Sequence, residues 1–88
     1  MPELSRFYGV KISMKPEGNE KHHTPHFHVY YGEFKAVYSC EGKLLAGRLP
    51  PKQSLLVEAW ASLHETELKE NWYLVNNNGE CFKIAPLH

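Results

Sequence analysis

The chain has 88 residues, 42% of them hydrophobic and 12% aromatic, and its ten basic and ten acidic side chains cancel. That is enough for one folded domain spanning residues 1–88, too little for two, and too apolar for a disordered segment. A net charge of zero removes the strong electrostatic footprint expected of a general nucleic-acid binder.

Residues 6–14 (RFYGVKISM) read as a strand, with Tyr8, Val10, Ile12 and Met14 alternating onto one face and Lys11 and Ser13 onto the other. Residues 15–25 (KPEGNEKHHTP) are polar, carry Pro near both ends and enclose Gly18-Asn19, the composition of a loop. His26 to Tyr31 and Phe34 to Cys40 read as two strands around Gly32-Glu33, where Gly at the first central position suits a type II′ turn. That turn sets a register. Tyr31 faces Phe34, Val29 faces Ala36 and Phe27 faces Tyr38 on a mostly apolar side, which leaves His26, His28, Tyr30, Lys35, Val37 and Ser39 on the other. A turn at Glu41-Gly42 leads to a further strand, Lys43 to Leu49, whose Leu45 and Leu49 are expected on the apolar side.

Pro50-Pro51 ends the sheet and suits the first turn of a helix. Leu55, Leu56, Ala59, Trp60 and Leu63 form an apolar stripe at helical spacing. Continued, that stripe would bring Glu67 and Glu70 into the core, whereas the apolar phase restarts at Leu68, Trp72 and Val75, so a break is expected between His64 and Thr66. Asn76-Asn77-Asn78-Gly79 is a C-terminal stop, and Cys81 to Ala85 could add a short last strand. The expected fold is α+β: an antiparallel meander of three to four strands, then two helices on one sheet face, with the histidine-bearing face open.

Cys40 and Cys81 are far apart and form no CxxC pair, which argues against a zinc ribbon, a thioredoxin motif or a disulfide framework. The first residues contain no apolar core of a signal peptide, and the apolar runs fall far short of the roughly 20 residues that span a bilayer. A cytoplasmic protein with reduced thiols and no membrane contact is expected.

Four of the six histidines lie between His22 and His28. Two residues apart on a strand, His26 and His28 point the same way, and His22 or His23 could fold back over them. Such imidazoles could hold zinc or another divalent ion, or work as an acid–base pair near neutral pH with Tyr30 and Lys35 stabilising charge. The plainer alternative is a solvated strand whose histidines only bond their neighbours. Beside Lys11, Lys35 and Arg48, Tyr30 also offers a surface on which RNA bases could stack. A helix-turn-helix is disfavoured by Glu65, Glu67 and Glu70, which would repel phosphate. Trp60 and Trp72 read as core anchors. No Gly-x-Ser-x-Gly, Walker loop or Gly-x-Gly-x-x-Gly is present, so no nucleotide cofactor is expected.

The opening Met-Pro-x-Leu-Ser-Arg-Phe-Tyr-Gly, then Pro25-His26-Phe27-His28-Val29 with Tyr31-Gly32, then Lys35-Ala36-Val37-Tyr38-Ser39, Glu58-x-Trp60-x-x-x-His64 and Glu70-Asn71-Trp72, together resemble the small bacterial proteins grouped as domain of unknown function 4160. The family usually has a second Pro before Pro25, where this chain has Thr24. The resemblance implies a small cytoplasmic bacterial protein, often one half of a two-gene module of toxin–antitoxin type. It points to a protein-interaction role or a small RNA-cleaving one. A protein partner is expected first and RNA second, with the chain a monomer or, through an exposed edge strand, a homodimer.

Overall fold

A computed structural model describes residues 3–15, 24–77 and 81–87. Its first feature corrects the sequence reading. Tyr8 and Gly9 both adopt positive φ, 48° and 79°, the signature of a two-residue type I′ turn. The stretch expected as one strand is therefore a hairpin, β1 (Glu3–Phe7) and β2 (Val10–Ser13), and Tyr8 is thrown out to solvent. Phe7 pairs with Val10, Arg6 with Lys11 and Glu3 with Ser13, with a bulge between Glu3 and Ser5.

β3 (His26–Tyr31) and β4 (Phe34–Ser39) pair in the expected register, with Tyr31 opposite Phe34, Val29 opposite Ala36 and Phe27 opposite Tyr38. Of the two turn residues only Gly32 has positive φ, as a type II′ turn requires. β5 (Leu44–Gly47) completes an antiparallel sheet of order β1-β2-β3-β4-β5, so five strands replace the three to four expected. A register shift between Val37 and Tyr38 seats Leu44, not Leu45, beside Tyr38. Leu44 and Leu45 are both exposed, at 44% and 45%, so Leu45 does not take its expected place on the apolar side, whereas Leu49 is buried as expected. The shift is a bulge, with Leu45 the extra residue between Leu44 opposite Tyr38 and Ala46 opposite Val37.

Helix α1 (Pro51–Leu63) starts with Pro51 in its first turn, and the Ser54 amide donates to the Pro50 carbonyl at 2.9 Å. Helix α2 (Glu65–Asn77) follows after a single residue. The His64 amide donates to the carbonyls of Trp60 and Ala61, which closes α1, while the His64 carbonyl accepts from the Leu68 amide, which opens α2. Its Nδ1–H donates to Glu67 at 2.5 Å, and Glu65 and Glu67 place negative charge where the α2 dipole favours it. The break between His64 and Thr66 is where the sequence placed it.

Of the stripe expected on α1 only Trp60 is fully buried, and the buried face is turned to the other side of that ring. Val57, Trp60 and Ala61 enter the core, Leu56 is partly buried, and Leu55, Ala59 and Leu63 lie in solvent, with Leu55 and Leu63 at 67% and 72% exposure. Trp60 is the centre of the packing: its ring lies 5.3 Å from Phe7 and 5.8 Å from Phe27, and its Nε1–H donates to the Ala85 carbonyl at 2.8 Å. In α2, Leu68, Asn71 and Val75 are buried. The Asn71 amide donates to the Phe82 carbonyl at 3.1 Å and accepts from the Phe82 amide at 2.8 Å, so one side chain replaces a missing strand neighbour for that segment. Ile84 then donates from its amide to Leu4 at the free side of β1. Among the described residues that is the one backbone bond between this segment and β1, and residues 81–87 form no strand. No helix among the described residues is long and apolar enough to cross a membrane.

Candidate functional site

β3 places the two central histidines. The rings of His26 and His28 are 5.6 Å apart, edge to face. The Nδ1–H of His26 donates to the Thr24 carbonyl at 2.8 Å. His26 is nevertheless only 8% exposed, because the Trp72 ring lies over it at 4.7 Å. The first two residues of β3 are thus held from both helices: Trp60 of α1 touches Phe27, and Trp72 of α2 touches His26. The expectation that the histidine-bearing face is open is corrected at His26, which Trp72 covers.

The remaining candidates do converge. His28, Tyr30 and Lys35 line a hollow of about 180 Å³ with Val37, Ala46 and Gly47. Chemically this unites a neutral-pH acid or base, a phenol and a cation on one patch of sheet. His26, the fourth candidate, does not line it. His22 and His23, offered as metal ligands with His26 and His28, lie outside the described residues, among which no three His, Cys, Asp or Glu side chains are grouped to hold an ion. Ser13, opposite His28 in the register, is fully buried, and its hydroxyl has no hydrogen-bond partner among the described residues.

Across the sheet the register assembles a row that strand-by-strand reading misses. Arg6 is opposite Lys11, Lys11 opposite Tyr30, and Tyr30 opposite Lys35. Directly opposed residues share a face, so three cations and a half-buried tyrosine run across β1 to β4. Glu3 pairs with Arg6 at 2.8 Å, and burial is too slight there for the pair to contribute much to stability.

On the helix side, the Ser54 hydroxyl donates to Glu58 at 2.9 Å, so the Tyr38 hydroxyl, 2.8 Å away, donates to Ser54. Burial raises the Tyr38 phenol above its ordinary value and pushes the Cys40 thiol up to about 12. Cys81 is raised in the same sense, again by burial. Neither thiol has the electropositive, exposed setting of a reactive cysteine. A larger hollow of about 590 Å³ follows α2 between Glu65, Tyr73, Leu74 and Phe82, and its one cation, Lys69, is bound to Glu65 at 2.8 Å.

The raised groups set a pH dependence. Stability from a group whose folded value is raised is complete below the unfolded value and is lost as pH rises through the folded one. In urea unfolding the Cys40 thiol should therefore cost no stability up to about pH 9 and produce a decline towards pH 12, as the unfolded thiol ionises and the native one does not. Cys40→Ala should flatten that decline; an unchanged profile would place the thiol in water.

Neither a curated protein nor a solved structure matches the chain. A family model matches residues 9–73, a span holding β2 to β4, both histidines of β3, the pair Trp60 and Trp72, and the shared cap His64. The chain belongs to the family described as Domain of unknown function (DUF4160).

Proposed function

We infer that the protein is an interaction module that binds a partner protein, as one member of a two-gene system of toxin–antitoxin type. The observation that carries this reading is the flank of α1. Leu55, Ala59 and Leu63 recur at every fourth residue and lie in solvent, while the same helix buries Val57, Trp60 and Ala61. Single exposed leucines are ordinary, but a helical stripe of them is the pattern by which one amphipathic surface meets another. Burying two leucine side chains contributes about 3–6 kcal/mol before the costs of association. Such a surface is useful to a protein whose neutral charge supplies no long-range attraction.

The test is co-expression with the product of the adjoining gene. The reading expects the two to copurify in equal amounts, and Leu55→Glu with Leu63→Glu to abolish copurification while the unfolding midpoint of the isolated chain is kept. Independent elution of the two wild-type proteins, or a complex indifferent to both substitutions, would overturn it.

A further inference from the structure

We propose that the outer face of the sheet binds the backbone of a single-stranded nucleic acid along the cross-strand row Lys11, Tyr30 and Lys35, with Arg6 at its β1 end. The register makes these four residues successive neighbours on four adjacent strands. With strands about 4.8 Å apart, the row is about 14 Å long, enough for more than one phosphate. Lys11 and Lys35 are exposed, and neither is in an ion pair among the described residues. Only Arg6 has a carboxylate, that of Glu3, and this pair is itself exposed on the Arg6 side.

The chain is neutral as a whole, yet the cross-strand row itself is cationic. Glu65, Glu67 and Glu70 lie on α2, whereas the row across β1 to β4 carries cations and one aromatic ring. A face that merely attracted carboxylates would need the lysines alone. Tyr30, held between Lys11 and Lys35, adds a surface on which a base can stack while its phosphates meet the flanking ammonium groups, the combination that sequence-tolerant single-strand binding uses. His28 lies two residues along the same strand and lines the 180 Å³ hollow with Tyr30 and Lys35. This face is separate from the α1 flank, so the inference stands apart from the reading above and does not require cleavage of the bound strand.

The experiment is fluorescence anisotropy of the intact protein with a labelled 2′-O-methyl oligouridine, which cannot be cleaved through its 2′ position, over a range of salt. Saturable binding is expected, with a log–log salt slope of about −1.4 for two phosphates. Lys11→Ala and Lys35→Ala should each reduce the slope by about 0.7, and Tyr30→Ala should weaken binding by about tenfold or more. Tyr30→Phe keeps the ring and should keep the affinity, and Lys52→Glu, on α1, should change neither quantity. The inference is overturned by a salt slope near zero or by full affinity in the Lys11→Ala, Lys35→Ala double variant. Displacement of the probe by polyglutamate as readily as by unlabelled oligonucleotide overturns it too, since that marks a surface for acidic protein.

Discussion

Replacing Trp60 by alanine should lower the free energy of unfolding by about 3–5 kcal/mol, the range for removing a fully buried large aromatic side chain. Its indole fills the space between the first hairpin and the central one, against Phe7 and Phe27, and touches the His64 ring at 5.5 Å. It also carries the Nε1–H bond to Ala85, so the substitution leaves a cavity and strands a carbonyl acceptor together. A domain of this size has about 5–15 kcal/mol in total, and the variant should therefore be partly unfolded at physiological temperature. The measurement is a urea midpoint read by circular dichroism, with Trp60→Phe as the partner variant. Phenylalanine keeps most of the packing and loses the hydrogen bond, so it should fall between wild type and alanine. A midpoint for Trp60→Ala within error of wild type would mean that the hairpins are not held through this ring.

Gly47→Ala should be as damaging for a different reason. A Cβ at this position would lie 2.3 Å from the Lys35 carbonyl oxygen and 2.9 Å from the Ala36 Cα, on backbone that cannot yield without breaking the β4–β5 pairing. The φ of +73° adds the ordinary strain of a left-handed L-residue, about 1–2 kcal/mol. β5 is the outermost strand and most of its side chains are exposed, so the cheaper response is for it to leave β4. Amide exchange should show protection lost along β4 and β5 while β1 to β3 keep theirs, or a global loss of about 3 kcal/mol if the sheet opens as one unit. Protection and midpoint both unchanged would show that the approach of Gly47 to Lys35 is wider than described.

The contrast between what could and could not be read from the sequence follows particular residues. The β3–β4 register was legible because Gly32-Glu33 has a recognisable turn chemistry and the alternation on both sides agrees with it. The first hairpin was not, because Tyr8-Gly9 lacks the Asn-Gly form of a type I′ turn and the alternation of Tyr8, Val10 and Ile12 runs straight through it. In α1 the expected stripe, Leu55, Leu56, Ala59, Trp60 and Leu63, and the buried set, Val57, Trp60 and Ala61, share Trp60 and flank it on either side, and periodicity alone does not say which flank meets a sheet. Of the candidate site, the convergence of His28, Tyr30 and Lys35 followed from strand parity. The covering of His26 by Trp72 did not, since it joins residues 46 positions apart. The row through Arg6 and Lys11 needed the first hairpin to be recognised before its cross-strand neighbours could be seen.

Helix ends ordinarily fray one residue at a time, because each terminus has backbone groups with no partner inside the helix. Here the last amide of one helix and the first carbonyl of the next belong to the same residue, His64, with no linker to absorb a change in either. Twisting its φ and ψ to release α1 also misaligns the carbonyl on which α2 begins. The two helices are consequently expected to open and close as one cooperative unit. Slow motion in the protein is then expected to appear as a concerted movement of the 27 residues from Pro51 to Asn77 against the sheet, rather than as independent melting of two short segments.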